Sequence, residues 1–129
     1  MRRIDQIIVH CSATPPSMDI GVEEIRQWHV RDNKWQDIGY HWVIRRGGVI
    51  EKGRDESRIG AHVAGHNSHS IGVCLVGGRD RFDFTLPQIH SLHYLADQLR
   101  QRYPNATFHG HNEFSNKRCP QFDVQEFFR

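Results

Sequence analysis

Short apolar runs, separated by polar or glycine-containing segments, recur along the chain and predict a set of β-strands. Residues 4–10 are rich in isoleucine and valine and predict a buried strand that ends at His10. The alternating run 40–51 is interrupted by a pair of glycines, which is typical of a β-hairpin. Residues 70–77 are almost continuously apolar and predict a central strand, and residues 106–111 predict a last short strand.

Other segments place their apolar residues at helical spacing. Residues 22–29 predict a helix whose first turn is acidic, as the helix dipole favours. A longer helix is predicted up to 103, with Thr85 as its N-cap and Gln88 completing a capping box. A proline directly after this segment ends the helix. Residues 123–129 predict a short terminal helix.

This alternation of strands and helices indicates an α/β fold, with a mixed central β-sheet flanked by helices. No internal repeat or linker divides the 129 residues, so we expect a single catalytic domain spanning 1–129. In sheets of this kind, functional side chains gather where loops leave the strand ends. Both His10 and His111 fall at the ends of predicted strands.

The composition is that of an ordinary globular protein, with 37% hydrophobic and 25% charged residues. A net charge of +2 gives no indication of a nucleic-acid partner, and no apolar segment approaches membrane-spanning length. Three cysteines at scattered positions argue against a disulfide framework and favour a reducing compartment. The first residues lack the apolar stretch of a signal peptide. We therefore expect a cytoplasmic protein without membrane insertion.

The stretch 109–120, read together with His10, contains the side chains of a metal site. His10, His111 and Cys119 offer two imidazoles and a thiolate, and three such ligands leave a fourth position open, as in catalytic zinc sites. His109 and His111 are expected to project to the same face of a strand, so spacing alone does not choose between them. The pattern predicts a zinc hydrolase.

Two other chemistries use the same residue types. The pair His111 and Glu113 forms the His-x-Glu of zinc nucleobase deaminases, but the Pro-Cys-x-x-Cys half of that signature is absent, which excludes the class. A cysteine hydrolase with Cys119 or Cys11 as nucleophile needs only a histidine close by in space. Loss of activity on chelation, restored by zinc, would exclude it.

Several blocks of sequence also carry a family resemblance. They are His10-Cys-Ser-Ala-Thr, Val22-Glu-Glu-Ile-Arg-Gln-Trp-His, Ile38-Gly-Tyr-His-Trp, Gly53-Arg-Asp, Gly60-Ala-His, Ser70-Ile-Gly-Val-Cys-Leu-Val-Gly-Gly and Lys117-Arg-Cys-Pro. In this order, they resemble the type 2 N-acetylmuramoyl-L-alanine amidases. The likeness is greatest to the small lysozymes of T-seven-like phages, and the peptidoglycan recognition proteins are more distant.

The resemblance implies an amidase-like fold and hydrolysis of the amide between N-acetylmuramic acid and L-alanine in bacterial peptidoglycan. It implies one Zn²⁺ per chain, bound by His10, His111 and Cys119. His111 is chosen over His109 because the family motif places the second histidine eight residues before the cysteine.

Four further residues are assigned by the same resemblance. Tyr40 and Lys117 resemble the family's two catalytic side chains, and the sequence does not divide their roles. His62 and Asn67 resemble part of the substrate groove and are predicted to contact peptide or sugar. Arg54, just before that segment, is predicted either to join it or to form a surface ion pair with the next residue, a contact of little energetic value.

The resemblance leaves two functions open. The first is a phage or prophage endolysin, held in the host cytoplasm and acting on the wall after release by another agent. The second is a non-catalytic module that binds peptidoglycan on the same fold. The presence of Cys119, Tyr40 and Lys117 favours the enzyme. We expect a monomer, and the sequence does not identify a surface for any regulatory protein partner.

Overall fold

The computed structural model describes residues 2–129 and has a five-stranded mixed sheet at its centre. The strands are β1 (Gln6–Cys11), β2 (Trp42–Ile44), β3 (Ile50–Lys52), β4 (Ser70–Leu75) and β5 (Thr107–Gly110). The helices are α1 (Val22–Asp32), α2 (Leu86–Arg102) and α3 (Val124–Phe127). The predicted α/β fold, with a mixed sheet flanked by helices, is confirmed.

The sheet has the strand order β3-β2-β4-β1-β5. The strand β1 is parallel to both of its neighbours, β4 and β5, and β2 is parallel to β4. Only the predicted hairpin is antiparallel among the described residues, and it pairs Trp42 with Lys52. Its turn contains Gly48 at φ 95°, a backbone conformation that glycine adopts without steric cost. The carboxyl ends of the four parallel strands, β2, β4, β1 and β5, therefore lie at one edge of the sheet.

The predicted capping box starts α2. The Thr85 hydroxyl accepts the backbone N–H of Gln88 at 3.2 Å, and the Gln88 side chain accepts the Thr85 N–H at 3.0 Å. The same Gln88 amide donates to the carbonyls of Ile44 and Val76, which ties the helix to the ends of β2 and β4. No helix within residues 2–129 combines the length and the apolar character needed to cross a bilayer.

The alternation of side chains along the strands divides the core into two layers. On one face, Ile7 and Val9 of β1 join the cluster that includes Leu92 of α2. On the opposite face, Val43 and Cys74 pack with the apolar residues of α1. His10 lies on this second face at the end of β1 and is 1% exposed. A polar ring is thus buried where the parallel strands end.

Candidate functional site

The register of the sheet brings two histidines together. Val9 of β1 is paired with Gly110 of β5, so the residues that follow them, His10 within β1 and His111 just after β5, lie side by side. Their ring centroids lie 4.7 Å apart. His111 belongs to a 3-10 turn, His111–Glu113, that starts directly after β5. Two residues separated by a hundred positions therefore meet because of one strand pairing.

A third side chain, Cys119, completes this cluster. One ligand atom each from His10, His111 and Cys119 can be chosen so that all lie within 4.8 Å of one another. Within the part of the chain that the structure describes, this is the one group of histidine, cysteine and carboxylate side chains close enough to hold a metal ion. We call these three residues the His-His-Cys cluster.

The protonation of the two imidazoles suits metal binding. Burial, followed by the nearby His62, His111 and Lys117, holds the pKa of His10 well below its usual value. Burial and the Lys117 charge also lower the pKa of His111. Both rings are therefore neutral near pH 7, which leaves a ring nitrogen lone pair for a cation.

The surroundings of Cys119 provide a donor for a thiolate. A hydrogen bond with the Cys11 side chain and burial raise the pKa of the Cys119 thiol. A coordinated cation has the opposite effect and deprotonates a thiol ligand. The backbone N–H of Cys11 donates to Cys119 Sγ at 3.0 Å, an orientation that also stabilises the thiolate form. The Cys11 side chain itself is 5% exposed and packs in the core on the α2 side of the sheet.

Tyr40 lies beside the cluster, two residues before β2. Its ring centroid is 5.1 Å from that of His10 and 5.6 Å from that of His29. Burial, and then the thiols of Cys74 and Cys119, raise the pKa of Tyr40 well above its usual value. The hydroxyl is consequently protonated at neutral pH and is available as a hydrogen-bond donor.

Lys117 is exposed and precedes Cys119 by two residues. Its charge acts on both histidines of the cluster, because it contributes to the lowered pKa of each. Lys117 also lines an open groove of about 510 Å³, together with Asn112, Glu113, Arg118, Gln121, Phe122 and Asp123. The three residues of the His-His-Cys cluster do not line this groove, so the observed link between Lys117 and the cluster is the charge of its ammonium group.

His109, the alternative to His111, lies outside the cluster. It remains within β5, where its Nδ1 is 2.9 Å from the Glu113 carboxylate and its Nε2 is 2.7 Å from the Thr107 hydroxyl. The expectation that His109 and His111 share one face of a strand is wrong, because the chain leaves β5 before His111 and enters the 3-10 turn.

The structure brings His62 to the cluster, whereas the Asn67 side chain binds the backbone next to His62. The Nδ1 atom of His62 lies 2.9 Å from Nε2 of His10. The Asn67 side-chain oxygen accepts the backbone N–H groups of His62 and Val63, at 2.9 and 2.8 Å. The predicted role of both residues in substrate contact stays a prediction. A bridge from His62 to His10 is not visible in the sequence, since 52 residues separate the two.

Arg54 does not form the surface ion pair with Asp55 that is one of the two predicted alternatives. Its side chain is 9% exposed and donates to the carbonyls of Asp37, Ile38 and Ile59 at 3.2, 2.9 and 2.6 Å. The neighbouring Asp55 pairs with Lys52 instead. A guanidinium has five donors in a rigid fork, which is why one side chain can hold three carbonyls of a folded-back loop.

Comparisons with protein families and with individual known proteins agree on the family to which this chain is similar. The family model described as N-acetylmuramoyl-L-alanine amidase matches residues 1–122. A relative described as an endolysin, from Escherichia phage T7, is 49% identical, and the match covers 96% of this chain and 85% of that protein.

Solved structures share the fold. The N-acetylmuramoyl-L-alanine amidase LysC from Clostridium intestinale superposes with a TM-score of 0.85 at 27% identity, covering 98% of this chain and 83% of that one. Bumblebee PGRP-SA gives a TM-score of 0.84 at 23% identity, covering 98% and 80% of the respective chains, which shows a common fold.

Proposed function

The chain belongs to the N-acetylmuramoyl-L-alanine amidase family and is an amidase of this type, and we propose that it acts as a zinc-dependent endolysin with one ion per chain. The bond cut is the amide between N-acetylmuramic acid and L-alanine in bacterial peptidoglycan. The observation that carries the zinc proposal is the His-His-Cys cluster, whose ligand atoms lie within 4.8 Å of one another.

The donor set fits zinc in three respects. Two neutral imidazoles and one thiolate match the nitrogen and sulfur ligands that Zn²⁺ prefers. Three protein ligands leave a position free, which distinguishes a catalytic site from a closed structural one. The Cys11 N–H at 3.0 Å from Cys119 Sγ supports the charge of the thiolate. We therefore assign His10, His111 and Cys119 as the ligands.

Zinc bound there would polarise the scissile carbonyl and lower the pKa of a water molecule to about 7, which an unactivated amide requires. Charge stabilisation and hydrogen bonding to the reacting groups would be provided by protein side chains. Lys117 is an exposed cation whose charge acts on both cluster histidines, and it would stabilise the negative charge that develops on the carbonyl oxygen under attack. Its side chain is exposed and is therefore free to contact a bound substrate.

Tyr40 would act as a donor. Its hydroxyl is held protonated by burial, so it would donate a hydrogen bond to the reacting oxygen or to the amine that leaves. A neutral phenol is a poor proton acceptor, and we therefore assign Tyr40 the donor role rather than that of the base that activates the nucleophile. This proposed division of roles is supported by the burial of Tyr40 and by the exposure of the Lys117 ammonium group.

The test combines product analysis with metal analysis. Digestion of purified peptidoglycan should release free N-terminal alanine without new reducing sugar ends, and the protein should contain one zinc per chain. Chelation should abolish the release, and zinc should restore it. Cys119→Ser should lose the metal, whereas the control Cys74→Ala, at a buried position in β4, should keep it.

Two outcomes would contradict the proposal. Reducing ends in place of alanine would mean that the glycan is cut, and full activity without metal would remove the zinc mechanism. Binding to peptidoglycan without any release would favour the alternative, a non-catalytic binding module. A single catalytic domain over 1–129, a monomeric state and cytoplasmic accumulation before release to the wall stay predictions for the same preparation.

A further inference from the structure

His62 is packed between the candidate ligand His10 and the central strand. Its ring meets the His10 ring edge-on, with centroids 4.9 Å apart, and its Nδ1 is 2.9 Å from His10 Nε2. Its other nitrogen, Nε2, lies 3.2 Å from the hydroxyl of Ser70, at the start of β4. Both ring nitrogens of His62 are thus engaged inside the protein.

These contacts determine how the His10 ring can be used. Since Nε2 of His10 faces His62, the nitrogen left for a metal is Nδ1. A neutral imidazole that coordinates through Nδ1 carries its proton on Nε2, and this N–H can donate to His62 Nδ1. His62 then carries its own proton on Nε2, from which it donates to Ser70 Oγ. One set of tautomers satisfies all three groups.

The rest of the fold holds the His62 ring in this position. The Asn67 side-chain oxygen accepts the N–H groups of His62 and of the next residue, which fixes the backbone of this loop. Gly72 on β4 faces the ring, and a Cβ at this position would lie 2.7 Å from His62 Cγ. Absence of a side chain at residue 72 therefore creates the space that the imidazole fills.

We infer that His62 is a positioning residue of the metal centre, which accepts the His10 Nε2–H bond and so directs Nδ1 of His10 toward the ion. The inference rests on the proposed zinc site. Histidine ligands in proteins commonly donate their second N–H to such a partner, and loss of the partner typically costs about 10–100-fold in metal affinity or activity. With both ring nitrogens bonded internally, His62 has no free group for the substrate.

The experiment compares zinc dissociation constants, measured by chelator competition, for the full-length protein and three variants. His62→Phe keeps a ring of similar shape and removes the acceptor. His62→Asn places an amide oxygen near the position of Nδ1 and keeps an acceptor. His69→Phe is the matched control, since His69 is a neighbouring histidine that pairs with Asp5 instead. Circular dichroism confirms folding, and KM for soluble muropeptides is measured at saturating zinc.

We expect His62→Phe to weaken zinc binding by about 10–100-fold, His62→Asn to recover most of this loss and His69→Phe to match wild type. KM at saturating zinc should change little in all three variants. Equal zinc affinity of wild type and His62→Phe would overturn the inference. If KM is also raised while the zinc affinity is unchanged, His62 instead contacts the substrate. If wild type itself binds no stoichiometric zinc, the proposed function fails first, and the two failures are distinguished.

Discussion

Arg54 is expected to be one of the most sensitive positions for stability, although it carries a charged side chain. Its guanidinium holds three backbone carbonyls of residues 37, 38 and 59 at 2.6–3.2 Å and is 9% exposed. A hydrogen bond that involves a charged group contributes about 1.5–3 kcal/mol. Arg54→Lys keeps the charge, but one ammonium cannot replace the planar fork and loses at least two of the three bonds. The expected cost is therefore about 3 kcal/mol or more, a large part of a typical unfolding free energy.

Urea unfolding at neutral pH measures this cost, with the midpoint and the slope m fitted separately. Arg58→Lys is the control, because Arg58 lies four residues away, has half of its side chain exposed and contacts Asp37 at 3.4 Å. Exposed pairs of this kind contribute about 0–1 kcal/mol, so the control should stay close to wild type. Equal losses in the two variants, or an Arg54→Lys variant as stable as wild type, would refute the reasoning.

Two further predictions concern catalysis and pH. Tyr40→Phe removes only the hydroxyl donor, so kcat should fall by about 100–1,000-fold. Zinc content and the free energy of unfolding should stay near their wild-type values. A kcat equal to that of wild type would mean that Tyr40 is not catalytic. For His41, which is fully buried, burial lowers the pKa from 6.5 to about 4. As the pH falls from about 6.5 to about 4, this residue becomes protonated in the unfolded chain but stays neutral in the folded chain. The contribution of His41 to the free energy of unfolding is therefore complete above about pH 6.5 and falls by about 3 kcal/mol toward pH 4. Urea unfolding across this range should give a flatter pH profile for His41→Gln than for wild type, and identical profiles would falsify the assignment.

Local signals in the sequence were sufficient to predict most of the fold. The capping box at Thr85 and Gln88 starts α2, the glycine pair forms the turn of the hairpin, and the apolar run that ends at His10 is β1. These features depend on the conformational preferences of residues that are close together in the sequence, so a short segment is enough to predict them. Strand ends were less accurate, since β5 stops at Gly110 and leaves His111 in a 3-10 turn.

The burial of Arg54 and the bridge from His62 to His10 could not be predicted in the same way. Both depend on loops folding back over the sheet, and nothing within a few residues of Arg54 indicates that three carbonyls will converge on its side chain. A charged residue in a polar segment is exposed by default. Only the tertiary arrangement shows which charged and polar side chains have internal partners.

The central strand β4 explains how residues from the strands on either side of it can reach the proposed metal site. The candidate ligands His10 and His111 come from β1 and from the turn after β5, whereas Tyr40 comes from the other side of β4, just before β2. On the face that carries His10, β4 presents Gly72 and Cys74, and Cys74 is paired with His10 itself. Larger side chains at these two positions would fill the space between β1 and β2. Small residues on β4 therefore let the His62 ring lie over the strand and let Tyr40 approach His10, so the composition of a strand that supplies no ligand decides whether the site can form.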